Sequence, residues 1–222
     1  MNANTFFGFM GAAGSGTDLP NIGDSFEGGY YAGLISHTAD GVATHALIVA
    51  PKATGCGGDY YGGGGRKGLN SPGTATTNNY DGAANTAVLS GDIITFVTGL
   101  SIGGYTDWYL PAIKELEIAY YNLKPGTQSN NTSYGANAYS VPELTSNYTA
   151  TDPGQTTATD FITVTGSEAF WDRSGNYFFY HQSSTAASST NHRYLDFRSG
   201  FRGSVNATNT TLSYCAFRKV AV

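Results

Sequence analysis

Charge is scarce in this chain: 12% of its 222 residues are Asp, Glu, Lys or Arg, about half the usual share. With 11 basic residues against 16 acidic ones and a net charge of -5, there is no basic field to gather phosphates, which excludes general nucleic-acid binding. Only a local basic patch at Arg193, Arg198 and Arg202 escapes that exclusion. Cysteine is nearly absent. Cys56 and Cys215 cannot form a metal site alone; they allow one long-range disulfide but no disulfide framework, and counting alone disfavours the bridge. Long apolar runs are missing too, since no segment approaches the roughly 20 residues of a membrane span. The start, "MNANTFFGFMGAAGSGTDLP", has neither a basic flank nor an apolar run of signal-peptide length. Synthesis and folding in a cytoplasm, with no membrane span, is the expectation. Catalytic signatures are lacking as well: no G-x-S-x-G elbow, no H-E-x-x-H and no close cysteine pair occurs. Hydrolase and zinc-protease chemistry therefore lack their main parts, and the chain reads as a non-enzyme that needs no cofactor.

What is present is glycine (30 residues), tyrosine (16) and enough apolar residues (40%) for a core. One main domain with loop-rich, aromatic surfaces is the expected result. Residues 1–20 end in a flexible joint, "GAAGSGTDLP". Ahead of it, Phe6, Phe7, Phe9 and Met10 form either an anchor that buries itself in another protein or a frayed tail. Residues 21–79 read as a β-hairpin and a Gly-rich loop. "GDSFEGGYYAGLIS" and "ATHALIVAPKA" supply the strands and "HTADGV" the turn, with His37 and His45 packed or solvated. "TGCGGDYYGGGGRKG" lacks the Gly-Lys-Ser/Thr of a phosphate loop and reads as a surface loop.

Residues 80–222 form the main unit. Leu89, Ile93, Phe96 and Leu100 fit one face of a helix, weakened at Gly91 and ended by Gly99. A second helix is expected from Pro111, with Leu110, Ile113, Leu116, Tyr120 and Leu123 as its apolar stripe. Lys114, Glu115 and Glu117 should face water, and "LKPG" should stop the helix. Residues 124–160 are a polar loop too long for a compact domain to keep without a purpose. The remainder is strand-like: "DFITV", "GNYFFYHQ", "HRYLDFRSG" and "TLSYCAFRKVAV".

The stretch "GGYTDWYLPAIKELE" at 103–117, then "YHQSSTAASSTNHRYLDFRSG", then "YCAFRKV", resembles the prokaryotic and phage branch of the C-type-lectin-like family. The order of the three segments matches that family across about residues 80–222. His181 stands where the family usually has Trp, and Ala216-Phe217-Arg218 replaces the commoner Arg-x-Val-Arg ending. The resemblance implies an α+β, C-type-lectin-like fold, with two helices packed on small antiparallel sheets with long loops, preceded by the hairpin. In it, Gly103 and Gly104 permit a sharp turn and Asp107 accepts backbone N–H bonds near the helix start. Trp108 supplies a large buried body, and Leu110-Pro111 sets the helix against the sheet.

The resemblance further implies a phage virion protein, made in the host cytoplasm and displayed in several copies as a homo-oligomer. The 1–20 tail would join other virion proteins, and the lectin-like domain would bind a host-surface glycan or protein. The exposed ligand candidates by analogy are His181, Thr185, Asn191, His192, Tyr194, Arg198, Phe201, Arg202, Asn206 and Asn209. Their Tyr, Asn, His and Arg chemistry resembles that of antibody loops. The alternative is a structural or decoration protein that reads no receptor. Calcium-dependent sugar binding is not expected, because "WDR" at 171–173 and "VPE" at 141–143 offer too few oxygens. Nor is formylglycine-generating chemistry, which needs paired cysteines.

Overall fold

A computed structural model describes residues 18–58, 65, 67–70, 78–163, 166–170 and 179–222. The aromatic tail residues Phe6, Phe7, Phe9 and Met10 lie outside them, as does most of the Gly-rich loop. The fold is α+β. In chain order the elements are β1 (Ser25–Phe26), β2 (Gly29–Ile35), β3 (His45–Val49), α1 (Lys52–Gly55) and β4 (Cys56–Gly57). Then come α2 (Gly82–Thr86), α3 (Asp92–Thr98), α4 (Ile113–Leu123) and β5 (Ser140–Val141). A 3-10 turn at Thr159–Phe161 leads to β6 (Tyr180–Ala186), β7 (Asn191–Asp196), β8 (Arg202–Asn206), β9 (Tyr214–Cys215) and β10 (Phe217–Ala221).

The hairpin expected at 21–51 forms as β2 and β3, and β10 pairs antiparallel with β3 to give the order β1-β2-β3-β10, with β5 on β2. Because successive strand residues face opposite sides, this sheet divides the interior in two. Leu47 and Val49 of β3 join Phe217 in one cluster, and Ala46 and Ile48 join Ala216 in the other. The first cluster takes α4 through Ile113, Leu116, Ala119, Tyr120 and Leu123. The second takes α3 through Ile93, Ile94 and Val97. Both sheet faces are therefore covered, which explains the apolar residues at odd and even positions of the last strand.

The motif at 103–117 runs along this partition. Gly103 and Gly104 have φ of 61° and 85°, the left-handed values of a tight turn, and Ile102 and Tyr105 exchange backbone hydrogen bonds across it at 3.0 Å. Trp108 is 2% exposed, and its indole N–H donates to Tyr105 O at 3.0 Å. It belongs with α3, on the opposite side of the sheet from α4. Asp107 does not cap the helix; its carboxylate holds the Arg218 guanidinium through two bonds of 2.8 and 3.1 Å. The N–H groups at the start of α4 are taken by Glu115 (Ala112 N, 2.7 Å) and Thr185 (Ile113 N, 3.1 Å) instead. Arg218 also bonds the Glu27 carbonyl at 2.9 Å and stacks 3.8 Å from the Tyr105 ring centre. The last strand is thereby clamped to the motif.

Four further expectations change. Glu115 and Glu117 do not face water but are fully buried, because α4 is covered on both flanks by groups distant in sequence. The helix expected across 89–100 is interrupted: α2 and α3 flank Gly91, whose φ is 121°. "DFITV" is not a strand in its described part; Phe161 enters the first cluster from a 3-10 turn. The described part of "TGCGG" is not surface loop, since Gly55 to Gly58 are buried and Cys56 forms a disulfide with Cys215 across β4 and β9. Among the described residues, no helix is long and apolar enough to cross a membrane.

Candidate functional site

Strands β6, β7 and β8 form a separate three-stranded antiparallel sheet. Its register sets Tyr180 opposite Asp196 and Gln182 opposite Tyr194, so Tyr180 and Tyr194 share one face, and their ring centres lie 5.0 Å apart. At the turn into β8, Phe201 meets Tyr194 at 6.4 Å and Tyr134, from the long polar loop, at 5.5 Å. The two arginines complete the cluster. Arg198 stacks 3.2 Å above the Phe179 ring centre and is held by Asp196 at 3.2 Å, while Arg202 lies 4.8 Å from the Tyr134 ring centre. Tyr134, Tyr180, Tyr194, Arg198, Phe201 and Arg202 are all half-buried. Each has its base packed and an edge in solvent, the condition of a preorganised contact residue.

The cluster rests on α4. Glu117, wholly buried, pairs with Arg202 at 3.0 Å and with Lys114 at 2.8 Å. A buried carboxylate between two cations sets the position of the Arg202 guanidinium, since leaving it unpaired would be costly. Burial pushes the Tyr194 phenol up, with Tyr180 and Asp196 adding to the effect; the hydroxyl therefore stays protonated and both donates and accepts.

Of the ten residues named from sequence, Tyr194, Arg198, Phe201 and Arg202 come together here. Asn191, Asn206 and Asn209 lie nearer the sheet's far end and in the loop beyond it. The carboxamides of Asn206 and Asn209 are engaged by Thr208 and Thr211 in local turns. His181, Thr185 and His192 are fully buried and are removed from the ligand face. His181 lies between Phe170 and Phe197 at 5.3 and 5.0 Å, with its Nε2 2.9 Å from the Phe170 carbonyl. A ring there fills core volume. Thr185 donates to Asn78 O while accepting from Ile113 N, and so anchors the helix start. Burial lowers His192 to about 4, which keeps its imidazole neutral.

Sequence reasoning missed Tyr134, Phe179 and Tyr180. The last two stand in a segment read only as strand-like, and the two-residue period sends Tyr180 to the face opposite His181. Tyr134 is an aromatic residue inside a polar loop, and that contrast was the available signal. No protein-family model matches the chain, and no curated protein matches it significantly.

Proposed function

We propose that the chain is a phage virion protein whose C-type-lectin-like domain binds a host-surface ligand through the Tyr134, Tyr180, Tyr194, Arg198, Phe201 and Arg202 cluster. The carrying observation is the convergence of four tyrosine and phenylalanine rings and two ring-stacked arginines, half-exposed, on a rigid sheet backed by buried Glu117. Tyr and Arg are the side chains that most often dominate binding energy. The motif at 103–117 and the segment order support the lectin-like architecture, and the α+β layout is compatible with it. In this reading residues 1–20 join the particle and several copies act together.

Replacing Arg202 is a poor test, because it would leave the buried Glu117 carboxylate with Lys114 as its one remaining ion pair among the described residues. Tyr194→Ser with Phe201→Ser instead removes exposed aromatic area while both ion pairs stay. Particles carrying the double variant should assemble normally and adsorb to their host at least about tenfold more slowly, the loss of one strong contact residue. Unchanged adsorption with an unchanged melting temperature would favour the decoration protein that reads no receptor.

A further inference from the structure

We propose a second ligand site, around Tyr121 at the end of α4, that takes an N-acetylated hexosamine unit. It shares no residue with the β6–β8 cluster and does not depend on that reading. Three adjoining depressions all use Tyr121. One is a nook of about 70 Å³ whose apolar wall is Ile118, Val141, Pro142 and Leu144. The other two are open clefts of about 310 and 240 Å³ with mixed polar and apolar walls. The nook is too small for a sugar ring and suits a methyl-sized group, whereas each cleft accommodates a hexose.

The polar groups are placed for such a ligand. Asn122 lines both the nook and the larger cleft, and its Nδ2 donates to Ala32 O at 2.8 Å, while its Oδ1 takes no hydrogen bond from the described residues. Gln155 likewise spends its Nε2 on Pro125 O at 2.9 Å and keeps its Oε1. The Tyr121 hydroxyl and the Asp152 carboxylate complete an acceptor-rich rim. An acetamido group fits this contrast, with its methyl in the nook and its N–H on Asn122 Oδ1. The sugar's C–H face would then stack on Tyr121, and its hydroxyls would donate to Asp152 and Gln155. Among the described residues no Lys or Arg lines any of the three depressions, while Asp152 and Glu143 do. Anionic sugars are disfavoured for that reason.

The site is also rigid before any ligand arrives. Lys124, 2% exposed, directs its ammonium to Gln128 O, Asn130 Oδ1 and Pro153 O, at 2.6, 2.6 and 3.1 Å. Thr156 N closes on Lys124 O at 2.9 Å. The long polar loop is thus tied over the end of α4, where it walls this cleft.

The test is a titration of the isotopically labelled full chain with N-acetylglucosamine and N-acetylgalactosamine, followed by amide chemical shifts. Glucose and N-acetylneuraminic acid serve as comparison probes. At least one acetamido sugar should give saturable shifts confined to residues 118–122, 140–144 and 152–157, with Kd on the order of 1 mM. Glucose should bind at least about tenfold more weakly, and the acidic sugar should give no shifts. Tyr121→Leu and, separately, the surface change Asp152→Asn should each weaken binding without altering the melting temperature, and Tyr194→Ser with Phe201→Ser should leave it unchanged. Absence of saturable shifts for both acetamido sugars, equal binding of glucose, or full binding by Tyr121→Leu would overturn the proposal.

Discussion

The Glu115 carboxylate accepts from Ala112 N at 2.7 Å, Gly82 N at 3.1 Å and Tyr109 OH at 2.7 Å, with no exposure to solvent. Burial pushes its pKa up to about 7, against the pull of its donors toward the ionised form. A carboxyl bound more tightly to its proton in the folded state contributes stability that is fully present below its unfolded value of 4.5. That contribution is lost as pH rises through about 7. His37 and His192, held to about 4 chiefly by burial, act in the opposite sense, since their contribution is lost as pH falls from 6.5 through about 4. The wild-type profile mixes these effects, so a difference profile is needed. Glu115→Gln keeps an oxygen for the two backbone donors but sets its N–H₂ against the Tyr109 hydroxyl, which must turn to accept, and should cost about 1 kcal/mol at pH 5. The gap should narrow toward pH 7.5 as the wild-type carboxyl ionises. Denaturant melts of both proteins across this range would show it, and a gap independent of pH would contradict the raised pKa. The sequence placed Glu115 in water because it lies off the apolar stripe. Nothing in the local pattern announces that Gly82 and Tyr109 supply donors to it.

For the elements, legibility followed periodicity. The stripe Ile113, Leu116, Tyr120 and Leu123 is legible because a 3.6-residue period survives whatever covers the helix, and all four are buried in the first cluster; Leu110, expected to belong to it, precedes α4 and packs in the second. The hairpin was legible from apolar runs around turn residues and the terminal strand from its two-residue alternation, though β9 and β10 divide the latter at Ala216. "DFITV" misled because β-branched residues suit strands in general, whereas here Phe161 satisfies its burial against Tyr30 and Phe170, at 5.4 and 5.8 Å, from a 3-10 turn. Trp108 was correctly read as buried, but its side of the sheet was not readable, since one residue's parity reverses the face. Trp108→Ala should cost about 3–5 kcal/mol, the range for emptying a large aromatic site. Because Trp108 packs with Ile93 and Val97, hydrogen exchange should rise first in α3 and leave α4 protected. Faster exchange in α4 alone would place the indole on the wrong side of the sheet. The same parity explains the ligand face: His181 turned inward and Tyr180 outward, the reverse of what the candidate residues required.

Across the whole molecule, three long-range ties hold the N-terminal hairpin to the C-terminal strands: β3 with β10, Arg218 with Glu27 and Asp107, and Cys56 with Cys215. None of the three was read from the sequence: an apolar pattern marks a strand but not its neighbour, two cysteines show that one bridge is allowed but not that it forms, and a lone arginine does not indicate its partner. The disulfide joins residues separated by 159 positions, so in the chain-entropy account it removes much of the freedom of the unfolded chain. Its loss should lower stability by roughly 2–5 kcal/mol. Cys56→Ala with Cys215→Ala tests this without reductant, and the substituted pair should leave the fold intact because β3–β10 and the Arg218 clamp remain. Both cysteines are only 2–3% exposed, so thiol exchange needs an opening event. In the wild-type chain the rate of reduction should therefore track the unfolding rate as denaturant is varied. Fast reduction in native buffer would show that the bridge is reached without unfolding, and a double variant with unchanged stability would show that the sheet and the arginine clamp alone carry the closure.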